Sequence, residues 1–247
     1  MNYDAFEPAY LTTQIDRILK NLIGIRQRTG SPGREIPDTD SLVIGDGRRL
    51  LMAILFLDVC KFSARLSNSE EEQNDILGTF NIFFTEMVRI LEDYGGTVEK
   101  NTGDGLMAYF EDRGGDPPET GSKRALAASL TMFRTSTQLI NPLLKKSAKQ
   151  KIEFRVAIDY GPVTIAKLGA PRRFNSCVAI GTAANIACKM LKFAGPNEIV
   201  IGDQLRQQLL YPPWILYEEK LTDNSGWIYL PSGFPYPFHR YTGRWTG

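Results

Sequence analysis

The sequence predicts an α+β fold in which helices pack on a largely antiparallel sheet. Segments with helical periodicity alternate with short apolar segments that have the length of strands. Two glycine-containing turns, at 102–105 and near 161, each separate two such short segments and predict β-hairpins. The resulting order is helix, strand, helix, hairpin, helix, hairpin, helix and strand, which is typical of one sheet covered by helices.

The first half of the chain is predicted to contain two helices with a linker and a strand between them. Apolar residues near helical spacing indicate the first helix, and a stretch rich in Gly, Pro and Asp indicates the linker. Ser-Asn-Ser before three glutamates marks the start of the second helix, and Gly95-Gly96 marks its end. The predicted elements are a helix over about 5–28, a linker over 29–49, a buried strand over 51–58 and a long helix over 67–94.

The second half is predicted to contain the two hairpins, two longer helices and a short final strand and helix. The predicted elements are strands at 97–100 and 106–110, a polar loop at 112–120, a helix over 123–147, paired strands at 152–159 and 161–167, a helix over 180–193, a strand at 198–201, a short helix at 203–210 and irregular strands from Trp214 onward.

Composition excludes several classes of function. With 247 residues and 43% hydrophobic content, the chain is long enough for one substantial core. The net charge of +1 argues against nucleic acid as a partner, and no apolar run approaches the roughly 20 residues that span a bilayer. Three cysteines without metal-site spacing fit a reducing compartment, and we see no signal peptide, so we expect a cytoplasmic protein. The single histidine excludes a multi-histidine metal site.

Two aspartates occupy similar positions, each at the edge of a predicted buried strand. Asp58 ends the apolar run 51–57, and Asp104 lies between two glycines just before the apolar run 106–110. A buried carboxylate is costly unless it is paired or binds a metal, and two carboxylates brought together would repel each other. A divalent cation removes this conflict, and oxygen ligands suit Mg²⁺ or Mn²⁺ completed by substrate phosphates. The pair therefore predicts an enzyme that acts on a nucleoside triphosphate.

Each aspartate also has a purely structural interpretation. Asp58 alone is compatible with an ordinary strand-end or turn residue. Asp104 is compatible with a hairpin turn, because Asp-Gly is a strong turn signal. The hairpin interpretation is consistent with a metal site, since a hairpin tip would project Asp104 toward the end of a neighbouring strand, where Asp58 would lie.

Four segments, 56–62, 95–105, 154–161 and 180–190, occur in the order that is found in class III nucleotidyl cyclases. The chain resembles this family from about residue 50 to 202. The resemblance implies a ferredoxin-like fold, here with an N-terminal helix, and active sites that lie between two catalytic domains. It places the N-terminal helix and linker at 1–49 and the cyclase catalytic domain at 50–247.

The resemblance also assigns roles to residues around the two aspartates. Asp58 and Asp104 would bind two ions of Mg²⁺ or Mn²⁺, and the carbonyl of Val59 would be a further ligand. The terminal phosphates would lie against the backbone amides of four consecutive residues, Cys60, Lys61, Phe62 and Ser63.

Three further residues match positions that contact the substrate in this family. Arg155 resembles its phosphate-binding arginine, and Asn185 resembles the residue that positions the ribose. Lys189 lies one helical turn after Asn185, where the family usually has an arginine on the phosphates. The implied reaction is attack of the ribose 3′-hydroxyl on the α-phosphorus with loss of pyrophosphate. The implied assembly is a homodimer with two composite sites.

The chain departs from the family around the phosphates. Lys61 occupies a position that is usually glycine, where it either adds a cation beside the phosphates or is a solvated loop lysine. Lys189 keeps the charge of arginine but loses its bidentate geometry. The lysine expected near the C-terminal strand is replaced in the nearest register by Ser232, and Lys61 would compensate for it.

The base site departs as well. Lys100 matches the lysine that reads the base, while Val178 stands where adenylate cyclases have aspartate or threonine. Valine cannot accept a hydrogen bond from the adenine amino group, whereas the carbonyls of uracil accept from a lysine. This favours UTP over CTP, unless Lys100 is solvated or an acceptor comes from a neighbouring polar residue, Asn101, Asn175 or Ser176.

Compact cyclases with such a base site resemble the pyrimidine cyclases of bacterial Pycsar anti-phage systems. Those enzymes make cyclic UMP or cyclic CMP, which activates a separate effector. The alternatives are a class III adenylate cyclase with a relaxed base site, a catalytically dead cyclase-like dimerisation module and a polymerase-like phosphotransferase. Retention of both aspartates, Arg155 and Asn185 argues against the dead module.

Overall fold

An eight-stranded sheet forms the centre of the described part of the chain, which comprises residues 7–26, 47–64, 68–113, 120–169, 175–209, 218–221, 228–229 and 232–245 of a computed structural model. The helices are α1 (Pro8–Arg26), α2 (Glu70–Asp93), α3 (Gly121–Thr135), α4 (Asn141–Lys146), α5 (Thr182–Met190) and α6 (Asp203–Gln208). The strands are β1 (Gly47–Val59), β2 (Thr97–Asn101), β3 (Gly105–Glu111), β4 (Phe154–Gly169), β5 (Asn175–Ile180), β6 (Ile199–Gly202), β7 (Glu218–Leu221), β8 (Ile228–Tyr229), β9 (Phe234–Pro235) and β10 (Phe238–Tyr241).

The strand order explains why the long strand β1 is buried. The order is β2-β3-β1-β4-β6-β10-β7, with β5 paired to β4 and with β8 and β9 forming a separate two-stranded ribbon. Alternate side chains of β1 point to opposite faces. Ala53, Leu55 and Leu57 pack in the core that contains α2 and α3, while Met52 and Ile54 pack with α5. The predicted α+β class, with helices on an antiparallel-rich sheet, is confirmed.

Helix α2 begins where its sequence signals predict. Ser69 Oγ accepts a hydrogen bond from the Glu72 amide at 3.1 Å, and Glu72 Oε2 accepts one from the Ser69 amide at 3.0 Å. This reciprocal capping box satisfies amides that have no partner within the helix. Gly95, with a φ of +72°, follows the C-terminal residue Tyr94 and turns the chain toward β2.

The prediction of two strands at 152–159 and 161–167 is wrong. The structure has one continuous strand, β4, whose hairpin partner is β5. Pro162 is tolerated inside β4 because it lies between the segment that pairs with β6 and the segment that pairs with β5. On this edge of β4 neither strand pairs with Pro162, so its missing N–H removes no hydrogen bond there. Gly161 pairs with Met52 as an ordinary strand residue, and the expected turn does not form.

Two other boundaries differ from the prediction. Strand β1 begins at Gly47, so the last part of the predicted linker is strand, and 27–46 lie outside the described residues. The single helix predicted over 123–147 is α3, a π-helical segment at Ser136–Ile140 and α4. Pro142 lies at the start of α4, and its missing amide favours the change in helical hydrogen bonding at this point.

The predicted N-terminal helix is present as α1 and packs on α2 and α3. Arg17 Nη2 lies 3.0 Å from Oε1 of Glu86, whose side chain is fully buried. Gln14 Nε2 donates to Thr135 Oγ1 at 2.6 Å. Burial raises the pKa of Glu86, and Arg17 opposes that shift. None of the helices in the described ranges is both long and apolar enough to cross a bilayer.

Asp159 is a buried carboxyl group that is not among the predicted site residues. Tyr236 Oη lies 2.8 Å from its Oδ1 and 2.9 Å from its Oδ2, and Tyr236 also accepts from the Gln204 amide at 3.1 Å. Burial raises the pKa of Asp159 to about 7, and the hydrogen bond from Tyr236 acts in the opposite direction. The contact ties β4 to the segment that precedes β10.

Asp159→Asn is expected to flatten the dependence of stability on pH. An aspartate in the unfolded chain titrates near pH 4, so between about pH 4 and 7 the folded chain retains a proton that the unfolded chain releases. The free energy of unfolding of the wild type should therefore fall across this window relative to the variant. Urea denaturation of both proteins from pH 4.5 to 8 measures the difference. Parallel curves would contradict the assignment, and His239, which is present in both, cancels in the comparison.

Candidate active site

The structure brings Asp58 and Asp104 together at adjacent strand ends. Asp58 is opposite Gly105 in the β1–β3 ladder, and the amide of Val59 donates to the backbone carbonyl of Asp104 at 2.8 Å. Both side chains are partly exposed, that of Asp58 by 23%. The hairpin interpretation of Asp104 and its proximity to Asp58 are therefore both correct.

Local backbone geometry explains the glycines beside Asp104. Gly103 has a φ of +97°, and its amide donates to Asn101 Oδ1 at 2.7 Å. The left-handed conformation suits glycine. A Cβ at Gly105 would lie 2.6 Å from the carbonyl oxygen of Leu57, so only glycine allows the hairpin to approach β1 this closely. These two glycines set the position of Asp104 against the end of β1.

Arg155 contacts Asp58 directly. It is opposite Asp58 in the β1–β4 ladder, and its Nε and Nη2 lie 2.8 and 2.7 Å from Asp58 Oδ2. Its Nη1 also donates to the carbonyl of Ala194 at 3.4 Å. A guanidinium at this position places a fixed positive charge beside the Asp58 carboxylate, where the phosphates of a nucleotide would be attracted.

The segment after β1 turns sharply at Lys61. This residue has a φ of +57°, which explains why a glycine is usual here and indicates a strained backbone for lysine. Phe62 begins a short 3₁₀ helix that includes Ser63 and ends at Ala64. The centroid of the Phe62 ring lies 5.1 Å from that of the Phe80 ring. The Lys61 side chain is exposed.

One of the four predicted phosphate-binding amides is already used by the fold. The amide of Cys60 donates to the carbonyl of Glu153 at 2.8 Å. Burial raises the pKa of the Cys60 thiol, with Arg155 acting in the opposite direction. The phosphate-binding prediction therefore narrows to the amides of residues 61–63.

Asn185 and Lys189 lie together on the exposed side of α5. They are one turn apart on the helix, while Ala183, Ala184 and Ala187 face the sheet. The helix begins directly after Gly181, and the Asn185 amide donates to the Gly181 carbonyl at 3.2 Å. The side chains of Asn185 and Lys189 therefore lie on one exposed surface of α5.

The two predicted base-site residues lie on β2 and β5, and a third residue links these strands. Lys100 pairs with Met107 of β3, and Val178 pairs with Ala166 of β4. Glu99 Oε2 accepts a hydrogen bond from the amide of Ala179 at 2.8 Å. Sequence reasoning missed Glu99; the adjacent opposite charges of Glu99 and Lys100 in a short strand were the available signal.

The oxygen ligands present fit a divalent cation held jointly with a substrate. Among the described residues, no three side chains of His, Cys, Asp or Glu form a group that would hold a metal by itself. The backbones of the two aspartates lie at adjacent strand ends, and Mg²⁺ usually binds through one or two carboxylates together with substrate phosphates. The donor set therefore suits Mg²⁺ or Mn²⁺ accompanying a nucleoside triphosphate.

A helix-covered, largely antiparallel sheet with aspartates at the end of β1 and at the adjacent β2–β3 turn is the arrangement of a nucleotidyl cyclase catalytic domain. A family model described as "Adenylate and Guanylate cyclase catalytic domain" matches residues 49–222. The chain belongs to this family.

Several cyclases are similar in sequence. A cytidylate cyclase of Escherichia coli is 26% identical over 161 residues, which are 63% of this chain and 34% of that protein. An adenylate cyclase of Anabaena cylindrica is 25% identical over 154 residues, 61% of this chain and 29% of that protein. A uridylate cyclase of Rhodovulum sp. (strain MB263) is 26% identical over 165 residues, 64% of this chain and 65% of that protein. The chain therefore spans about a third of the first two relatives and just under two thirds of the third.

A solved structure supports the same fold. The guanylyl cyclase Cya2 superposes with a TM-score of 0.66 at 20% identity, over 82% of this chain and 95% of that chain. At this level of identity, the likeness establishes the fold.

Proposed function

We propose that this chain converts a pyrimidine nucleoside triphosphate, with UTP favoured, into a 3′,5′-cyclic nucleotide and pyrophosphate. The observation that carries this proposal is the pairing of Asp58 and Asp104 at adjacent strand ends, next to Arg155. Two aspartates at adjacent strand ends, one of them paired with a guanidinium, suit a triphosphate with its metal ions. The family to which the chain belongs agrees with this chemistry.

In the proposed mechanism, Asp58 and Asp104 would hold two ions of Mg²⁺ or Mn²⁺, and the carbonyl of Val59 would be a further ligand. When bound, these ions supply positive charge that favours loss of the 3′-hydroxyl proton and neutralises the triphosphate. The amides of residues 61–63 and Arg155 bind phosphate oxygens. The bond between the 3′-oxygen and the α-phosphorus forms, the bond to the bridging oxygen of pyrophosphate breaks, and the hydroxyl proton passes to solvent.

The protein itself mainly positions the reacting groups. Asn185 orients the ribose so that its 3′-oxygen is in line with the leaving group, and Lys189 binds the phosphates from the same face of α5. Lysine supplies a point charge without the bidentate geometry of arginine. Lys61, whose side chain is exposed at the turn after β1, would add a second cation beside the phosphates.

The active form in this proposal is a homodimer. One chain contributes the carboxylates at the end of β1, and the partner contributes Asn185 and Lys189 from the exposed face of α5. Exposed apolar side chains on the β4–β5 hairpin, Leu168 and Ile180, support an intermolecular contact in this region. Two-fold symmetry then produces two equivalent sites.

The choice of base rests on Lys100 and Val178. Lysine donates hydrogen bonds and accepts none, and valine does neither. Uracil presents carbonyl oxygens to such a site, whereas adenine presents an amino group that would lose its hydrogen-bond partner on leaving water. The uridylate and cytidylate cyclases among the relatives support a pyrimidine substrate.

Equimolar ATP, GTP, CTP and UTP with Mn²⁺ are expected to yield mainly cyclic UMP, by about tenfold or more over cyclic AMP, since an unpaired buried amino group costs about 1–3 kcal/mol. Mass spectrometry of the products measures the ratio. Predominant cyclic AMP would refute the pyrimidine preference and leave a cyclase that favours ATP. Predominant cyclic CMP would retain the pyrimidine class and reject the role given to Lys100.

We further propose that the product serves as a second messenger in anti-phage defence, read by a separate effector. The resemblance to pyrimidine cyclases supports this role. Cells that express the wild-type chain should accumulate cyclic UMP after phage infection, while cells with an Asp104→Ala chain should not. Equal cyclic UMP before and after infection would contradict the defence role without affecting the proposed reaction.

A further inference from the structure

A buried carboxylate lies under the predicted base-reading lysine. The side chain of Glu99 is only 3% exposed, whereas that of Lys100 is 49% exposed. Glu99 Oε1 lies 3.4 Å from Lys100 Nζ, and Oε2 accepts the Ala179 amide at 2.8 Å. Oε1 is buried and has no hydrogen-bond partner. The charged group close to it is the Lys100 ammonium.

A β-bulge in β2 allows the contact between Glu99 and Lys100. Neighbouring residues in a regular strand point to opposite faces of the sheet, so Glu99 and Lys100 would normally diverge. The β2–β3 register shifts between Val98 and Lys100, which inserts Glu99 as a bulged residue. Bulges redirect side chains. This one lets two adjacent residues of β2 meet at the contact between β2 and β5.

The position of Glu99 is costly without a partner. The side chain of Glu99 is almost fully buried, and its negative charge adds to the effect of burial in raising the pKa of Tyr109. Removing a carboxylate from water without compensation is unfavourable. The Lys100 ammonium and the Ala179 amide supply the compensation, and both belong to the region in which the base is expected.

We propose that Glu99 is a positioning residue for base selection, which holds the Lys100 ammonium at the β2–β5 contact so that its other N–H groups meet a pyrimidine carbonyl. The lysine stem is flexible, and an ammonium held in advance loses less entropy when the base binds. The inference rests on the proposed nucleotide site. It also explains why Glu99 itself is no acceptor for adenine: one of its oxygens is committed to Ala179, and the other is buried beneath Lys100.

Glu99→Gln tests the proposal because glutamine keeps the size and an acceptor for the Ala179 amide but removes the charge. We expect KM for UTP to rise about tenfold, because Lys100 loses the negative charge that holds its ammonium in place, with kcat within about twofold. The ratio of kcat/KM for UTP to that for ATP should fall by a similar factor. Glu92→Gln is the matched control, since Glu92 forms an exposed ion pair with Arg89 on α2 and should change neither value.

Equilibrium binding of each triphosphate in the presence of Ca²⁺, measured by calorimetry, separates this inference from the proposed reaction. Loss of UTP preference in binding supports Glu99 as a positioning residue even where no product forms. If the wild type cyclises UTP and the Glu99→Gln variant binds UTP with the same preference as the wild type, the inference about Glu99 is overturned and the proposed reaction stands. Equal weakening of all four nucleotides with a lower Tm would assign Glu99 to the fold and also overturn it. A wild type that neither binds nor cyclises any nucleotide would overturn both proposals.

Discussion

Asp58→Ala and Asp104→Ala are each expected to lower cyclase turnover by at least about 10²–10³-fold, the scale of losing one major electrostatic contact to the reacting group. Each substitution removes one of the two carboxylates carried by the end of β1 and the adjacent β2–β3 turn. The triphosphate charge would then be poorly neutralised. Both variants should remain folded, because neither side chain belongs to the hydrophobic core.

Asp75→Ala is the matched control for these two variants. Asp75 is an exposed carboxylate on α2 that pairs with Lys149 at 2.6 Å, so its loss should leave turnover unchanged. Product formation with UTP and Mn²⁺ is the measurement, and circular dichroism checks the fold. Normal turnover in either the Asp58 or the Asp104 variant would remove the basis for the proposed metal site.

Mixing an Asp58→Ala chain with an Asn185→Ala chain is expected to restore activity although each chain alone is inactive. In the proposed homodimer, one site of the mixed dimer combines both defects and the other site has neither. Random exchange makes half of the dimers mixed, so an equimolar mixture should reach about a quarter of wild-type activity in a symmetric pair. Turnover as a function of mixing ratio measures this recovery.

A second mixture provides the control. Asp58→Ala and Asp104→Ala affect the same half of the composite site, so their mixed dimer contains no intact site and should stay inactive. Subunit exchange is verified with differently tagged chains. Recovery in neither mixture, with exchange verified, would exclude a site shared between two chains. Recovery in both would place the two aspartates in different halves of the site.

The sequence alone determined the elements whose signals are local. The start of α2 follows from Ser69 and Glu72, which satisfy each other's backbone amides within one turn. The β2–β3 hairpin follows from the glycines on either side of Asp104. Because Asp58 ends an apolar run and Asp104 occupies a hairpin tip, their pairing was also predictable, since neighbouring antiparallel strands bring such positions together.

Tertiary structure decided the features that depend on contacts between distant segments. A turn was predicted near residue 161, but β4 continues through Gly161 and Pro162, which lie between the segment that pairs with β6 and the segment that pairs with β5. Glu99 was not predicted as a site residue, but the bulge in β2 and the bond from the Ala179 amide place its buried carboxylate against Lys100. Local sequence determines conformational preference and charge. The pairing of strand edges and the burial of a charged side chain depend on which distant segment of backbone lies next to them in the fold.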